Sequence, residues 1–293
     1  MMARESAALV ALLRLGRSPW RRYAELVDNA GSAVSALQQE LAHRDGQTSL
    51  LPEDPEPVIA RASAEIERWR ADGITLVTVL DHDYPQNLRA VHDRPPLIFV
   101  AGRLERSDER SVAVVGARSA SRDGLNRAGE IADHLVRRGY AVASGLATGI
   151  DTAAHLATLG AGGRTLAVIG TGLTHSYPPQ NAALQRRIAS ECAVISQFWP
   201  DSPPSRQSFP MRNAVMSGLT LGTVLVEASP TSGARIQARR ALAHGRPVFL
   251  IESLLSQSWA RELTAQPGTH VVSSPEQITS ALERLNSSDA LVR

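Results

Sequence analysis

With 293 residues and 43% hydrophobic content, the chain can build one large α/β domain plus a smaller appendage and is too apolar to be disordered. No apolar run approaches a bilayer span, and Arg14 and Arg17 follow the apolar stretch 7–13 where a signal peptide would carry small residues, so a cytoplasmic protein without membrane attachment is expected. The net charge of +2 hides an asymmetry, because residues 1–104 hold 12 Arg against 14 acids whereas 110–250 hold 15 Arg against 7.

All 31 basic residues are Arg, a permanently charged fork for phosphate. Genomic codon bias produces the same substitution for Lys, so the position of the charge says more than its type. The single Cys192 excludes an intrachain disulfide and argues against a thiolate metal site, so a buried small residue is expected there. No metal and no cofactor are expected.

Leu9, Leu12 and Leu13 keep helical spacing, Ser18-Pro19 opens a second helix carrying Tyr23, Leu26 and Val27, and a third begins after Ser32 with Val34, Leu37 and Leu41 on one face. Residues 1–44 therefore read as a helical bundle too small for a core of its own. Paired helices can read DNA, but the acidity of this part favours a structural or protein-contacting role. Residues 45–70 read as a linker, with Pro52, Pro55 and Pro57 among acids, followed by a helix. The main domain is expected over 71–288. It opens with a strand over 74–80, then the turn Asp81-His82-Asp83-Tyr84-Pro85, whose adjacent side chains do not suit one metal ion. A short strand over 97–100 follows.

The run Val112-Ala113-Val114-Val115 stops at Gly116-Ala117-Arg118, and Ser119-Ala120-Ser121 leads into a helix over 123–138. This is the first unit of a doubly wound sheet. The pattern repeats with a strand ending at Ser144-Gly145, a helix over 149–159, and a strand ending at Gly170-Thr171-Gly172. Each strand end carries Gly with Ser, Thr or Arg, which lets the backbone approach and bind an anion. Later come a strand near Cys192, a loop reaching Phe209-Pro210-Met211-Arg212-Asn213 with a helix from there to 219, and a strand over 223–227. A loop over 228–234 then starts a helix with Ser232-Gly233, followed by strands over 247–251 and 271–272 and a last helix after Ser274-Pro275. The expected class is α/β: an extended Rossmann-like, doubly wound, mostly parallel sheet with a small N-terminal helical bundle.

The first strand lacks Gly-x-Gly-x-x-Gly, the second lacks a terminal acid, and no Gly-x-x-x-x-Gly-Lys loop occurs, so neither a dinucleotide nor ATP in a P-loop is expected. Asp151 and His155 share a helical face and could pair on a metal, although a carboxylate so close to a helix start suits capping and packing. Arg118 and Arg212 stand at the ligand edge.

Gly116-Ala117-Arg118, Ser144-Gly145-Leu146-Ala147-x-Gly149-Ile150-Asp151-x-x-Ala154-His155, Gly170-x-Gly172-x-x-x-x-Tyr177-Pro178, Phe209-Pro210-x-Arg212-Asn213 and Val226-Glu227-Ala228 resemble, in order, the motifs of the DprA/Smf family. The resemblance runs from about Gly73 through Pro247. It implies a non-catalytic Rossmann domain that binds single-stranded DNA, forms a homodimer and loads RecA during natural transformation. By the same resemblance Arg118, Ser144, Gly145, Gly149, Gly170, Gly172, Arg212 and Asn213 line a phosphate pocket, with Tyr177 or Phe209 available to stack on a base, and Gly116, Ser119, Ser232 and Gly233 are expected beside them as further phosphate contacts. The chain departs from the family's pattern after Leu250. There Leu250, Ile251, Leu254 and Leu255 beside Trp259 are expected to form an exposed apolar dimer contact. The alternative is a nucleotide sensor, or an enzyme resembling the LOG phosphoribohydrolases, with Arg212 clamping a phosphate and Glu227 placing a carboxylate on a ribose. Against it, the Pro-Gly-Gly-x-Gly-Thr loop of those enzymes is missing.

Overall fold

The computed structural model describes residues 2–16, 18–42 and 54–290, so Arg17 and most of the expected linker lie outside the described residues. The chain forms two compact units, one of residues up to Tyr84 with Asp93–Val100, the other of Pro85–His92 with the chain from Ala101 onward. The expected boundary at residue 70 is therefore displaced. Residues 71–84 hydrogen-bond within the first unit, where Val79 N–H donates to the Pro96 carbonyl at 2.9 Å and the buried Tyr84 hydroxyl donates to the Pro95 carbonyl at 2.7 Å.

The first unit contains α1 (Met2–Leu15), α2 (Trp20–Ala30), α3 (Ala33–Ala42), α4 (Glu56–Ala71), β1 (Ile74–Thr78) and most of β2 (Leu97–Gly102). Seven consecutive residues of α1, from Ala7 to Leu13, are buried, so this helix is apolar all round and runs through the bundle. Glu5 of α1 accepts from the Ser32 hydroxyl and the Ala33 and Val34 amides at 2.9, 2.6 and 3.2 Å. One carboxylate thus caps α3 and complements its dipole. Asp81 accepts from the amide and hydroxyl of Thr78 at 2.7 and 2.9 Å, which commits it to the turn rather than to a metal.

The second unit is built on seven parallel strands: β3 (Ser111–Val115), β4 (Ala141–Ser144), β5 (Thr165–Val168), β6 (Ala193–Ser196), β7 (Thr223–Leu225), β8 (Val248–Ile251) and β9 (Thr269–Val272). They lie in the order β6-β5-β4-β3-β7-β8-β9. Every residue of β3 through β8 is buried, as in a parallel sheet covered on both faces. The covering helices are α6 (Arg122–Arg137), α7 (Ile150–Gly160), α8 (Ala182–Glu191), α9 (Ser208–Leu219), α10 (Gly233–Ala243), α11 (Ser258–Thr264) and α12 (Pro275–Ala290), and a short α5 (Gln86–Arg89) belongs to the same unit. Val112, Val114, Val142, Val224 and Phe249 pack with Ile131 and Leu135 of α6 and Ile278 and Leu282 of α12. Leu159, Ala167, Ile169, Ile188 and Val194 form a second cluster that includes the buried, free Cys192.

Strand order runs from β3 through β4, β5 and β6 to one side, and from β3 through β7, β8 and β9 to the other. The β3/β7 junction is therefore the topological switch point, where open α/β sheets leave a crevice at their carboxyl edge.

Two further sequence expectations are corrected. Phe209-Pro210-Met211-Arg212-Asn213 lies inside α9 rather than in the loop before it; Pro210 fits because amides of a first turn have no intrahelical partner. Leu255 is half-buried, and Leu250, Ile251, Leu254 and Trp259 are not an exposed patch. These four are all buried within the unit, Leu250 and Ile251 because β8 is an interior strand covered on both faces. Among the described residues no helix is long and apolar enough to cross a membrane.

Candidate nucleic-acid interface

A cleft of about 540 Å³ opens at the β3/β7 switch point. Its walls are the loop after β3 (Gly116, Ala117, Arg118, Ser119), Ala147 and Asp151 at the start of α7, Phe209, Arg212, Asn213 and Met216 of α9, and the loop after β7 with Ser229, Thr231, Ser232 and Gly233. Gln237 of α10 also lines it. Gly116 is required because a Cβ there would meet Ile150 at 2.6 Å and the Glu227 carbonyl at 2.7 Å. Gly149, at φ +78°, lets the chain pass against the carbonyls of Ala117 and Arg118 before α7 begins. Ser232 is the N-cap of α10, its hydroxyl accepting from the Ala234 amide at 3.2 Å, so the positive end of that helix faces the cleft.

Backbone donors after β4 and at the start of α6 hold the protein's own carboxylates. Asp151 accepts from the amides of Gly145 and Ala147 at 3.1 and 3.4 Å. Glu227 accepts from the Ser121 amide at 3.1 Å and from the Ser121 hydroxyl at 2.7 Å, where α6 begins. The Ser121 hydroxyl in turn accepts from Gly124 N–H at 3.0 Å. A methyl at Gly124 would collide with the Glu227 carboxylate. At these two places the backbone donors are answered by carboxylates of the protein itself.

Behind the cleft lies a buried charged layer. Arg212 is only 7% exposed and its Nη1 donates to the Val168 carbonyl at 2.7 Å. Burial depresses the pKa of its guanidinium, opposed by attraction to Asp151. Burial raises the pKa of Asp151, opposed by Arg212 and by the amides it accepts from. His155 Nδ1–H donates to Thr165 Oγ1 at 2.7 Å, the Thr165 hydroxyl donating onward to the Val142 carbonyl, and burial, helped by the Arg212 charge, lowers the His155 pKa to about 3. It is therefore neutral at physiological pH and sealed from solvent, which suits packing rather than proton transfer.

The outer wall is different in kind. Arg118 is exposed, with its guanidinium 5.6 Å from the Phe209 ring centre. Tyr177, 39% exposed, lies 5.5 Å from the same ring, tilted by 43°. A smaller hollow of about 80 Å³ opens there, lined by Arg118, Gly145, Tyr177, Phe209 and Arg212 among others.

Of the residues singled out in the sequence, Gly116, Arg118, Ser119, Phe209, Arg212, Asn213, Ser232 and Gly233 line the main cleft, and Gly145 and Tyr177 line the smaller hollow. Ser144, Gly149, Gly170 and Gly172 line neither. Ser144 is buried and donates to the Val114 carbonyl at 2.6 Å. A Cβ on Gly170 would strike the Phe209 ring at 2.7 Å, and one on Gly172 would collide with the Trp199 and Pro200 carbonyls, so both glycines serve close packing. Glu227 does not line the cleft, and its carboxylate is bound to Ser121 while Arg212 is bound to Val168. The clamp-and-carboxylate pair that the alternative reading required for N-glycosidic cleavage is therefore not assembled. Sequence reasoning missed Ser229, Thr231, Met216 and Gln237. The first two follow a strand end as hydroxyl-bearing neighbours of Ser232-Gly233, a signal of the same kind as those used; Gln237 sits one turn into α10, where only the fold places it in the cleft.

Residues 75–283 match the family model of DNA recombination-mediator protein A. The chain is 41% identical over 174 residues to the DNA processing protein DprA of Streptococcus pneumoniae, covering 59% of this chain and 61% of the relative, so the match spans less than two thirds of that protein's length. It is 30% identical over 262 residues to DprA of Bacillus subtilis, covering 88% of each. An X-ray structure of S. pneumoniae DprA superposes with a TM-score of 0.66 at 32% identity, covering 83% of this chain and 92% of that one. The structure of Helicobacter pylori DprA, described for its single-stranded DNA binding mode, shares the fold with a TM-score of 0.62 at 23% identity, covering 71% of this chain and 96% of that one. With the family model covering most of the chain and the strands, cleft and strand-end motifs in one Rossmann-like unit, the chain belongs to the DprA/Smf family of DNA recombination-mediator proteins.

Proposed function

We propose that the protein binds single-stranded DNA along the β3/β7 cleft and performs no chemistry on it. One observation carries the reading. The acids beside the cleft, Asp151 and Glu227, are consumed by internal hydrogen bonds, whereas Arg118, the hydroxyl-rich loop from Ser229 to Ser232 and the N-terminus of α10 remain turned to the opening. That leaves a site able to receive phosphate, with the rings of Tyr177 and Phe209 alongside for a base. The name of the family model and the single-stranded DNA binding of the H. pylori protein support the same reading. A nucleophile–base pair is not offered by the residues around the cleft, since Asp151 and His155 are buried and engaged. A homodimer, RecA as partner and a cytoplasmic setting are proposed from family membership.

The test is fluorescence anisotropy of a labelled thymidine oligomer over a range of salt. Affinity should fall with a log–log slope of about −0.7 per phosphate contacted. Binding that ignores ionic strength, or release of free base from nucleoside monophosphates, would overturn the reading.

A further inference from the structure

We propose that Glu227 is the positioning residue of the cleft, an internal anion that fastens the Arg118 loop and closes the place where a compact diphosphate would otherwise sit. Glu227 reaches both ends of that loop. Its carbonyl accepts from the Ala117 amide at 2.6 Å, and its carboxylate accepts from the amide and hydroxyl of Ser121 at 3.1 and 2.7 Å. Only Arg118, Ser119 and Ala120 lie between, and the first two line the cleft. A span this short, tied at both ends to one residue, holds the Arg118 backbone in place without any bond to Arg118 itself.

The same carboxylate lies against Gly124, in the first turn of α6, where a methyl would collide with it. A diphosphate approaching that turn meets a resident carboxylate instead of free donors, while Arg118 and the N-terminus of α10 offer donors at the cleft wall. Glu227 thus selects for phosphates spaced along a strand and against a compact nucleotide diphosphate. The inference rests on the reading of Arg118 as a phosphate contact, and the test keeps the two apart.

Thymidine-oligomer affinity is measured for Arg118→Ala, Glu227→Ala, Glu227→Gln and the Arg118→Ala/Glu227→Ala double variant, with ADP as a second probe by calorimetry. Glu227→Ala keeps the main-chain bond to Ala117 and loses the carboxylate, so it should weaken the oligomer about fivefold, and the double variant should be no weaker than Arg118→Ala alone. Glu227→Gln, which keeps an oxygen for Ser121, should restore most of the loss. ADP should titrate saturably into Glu227→Ala but not into the parent. Losses that multiply in the double variant, or ADP binding equally to the parent and Glu227→Ala, would overturn the proposal. If Arg118→Ala leaves the oligomer affinity intact, the phosphate role of Arg118 fails and the ADP arm alone decides on Glu227. Should Glu227→Ala not fold, Ser121→Ala takes its place in the cycle, coupling to Arg118 sustaining the proposal and additivity overturning it.

Discussion

The guanidinium of Arg212 occupies the space above Gly145, where any Cβ would collide with Nη1. The glycine at the end of β4 therefore makes room for a buried side chain as much as for a ligand. Arg212 fastens α9 to the carboxyl end of β5 through the Val168 carbonyl and offsets the charge of buried Asp151. Removing it leaves that carboxylate to the Gly145 and Ala147 amides. Gly145→Ala and Arg212→Ala should each destabilise the fold by more than about 1 kcal/mol, read from urea midpoints at unchanged m-value.

Arg118 and Arg212 should separate in a salt titration of oligomer binding. Arg118 is exposed, so Arg118→Ala is expected to flatten the slope by about 0.7, one phosphate contact. Arg212 is buried with its Nη1 engaged, so a variant that still folds, such as Arg212→Lys, should leave the slope near that of the parent while lowering the thermal midpoint. Equal flattening by both would place Arg212 on the DNA.

Acid should weaken the fold through His155. Its folded pKa of about 3 lies below its ordinary value of 6.5, so between the two the unfolded chain binds a proton that the folded protein refuses. Its contribution is intact above pH 6.5 and is lost as pH falls, by about 1.4 kcal/mol per unit. Asp151 acts in the opposite sense: its raised pKa gives stability that is present below the ordinary carboxylate value and lost as pH rises through the folded one. Chemical denaturation across pH should show His155→Gln with a shallower decline below 6.5 than the parent, and an unchanged decline would assign the acid sensitivity elsewhere.

The two rings should behave differently. Tyr177 is substantially exposed, and Tyr177→Ala should cost about 1–3 kcal/mol of oligomer binding at constant salt slope and unchanged melting temperature. Phe209 is packed against Gly170, so Phe209→Ala should lower the melting temperature together with the affinity. Calorimetric melting beside anisotropy separates the two outcomes.

The order of strands and helices was legible in the sequence because parallel strands buried on both faces are continuous apolar runs. Val112-Ala113-Val114-Val115 and Cys192-Ala193-Val194-Ile195 announce themselves and stop at polar residues or glycine. The Gly and Ser residues at those ends marked the sheet edge where the cleft lies. What local pattern cannot carry is which group answers each set of donors. Glu227 stands 106 residues from Ser121, and Arg212 stands 44 from Val168, so both contacts exist only once parallel strands bring their carboxyl ends to one edge. The same holds for Leu250 and Trp259, apolar and clustered in the chain, which the unit's own tertiary packing buries instead of leaving to a partner. Residue type and spacing determined that this edge carries backbone donors at Gly and Ser. Tertiary proximity decided which of them the protein answers with its own carboxylates and which it leaves open, because a buried amide takes the nearest acceptor the fold delivers, whatever its distance along the chain.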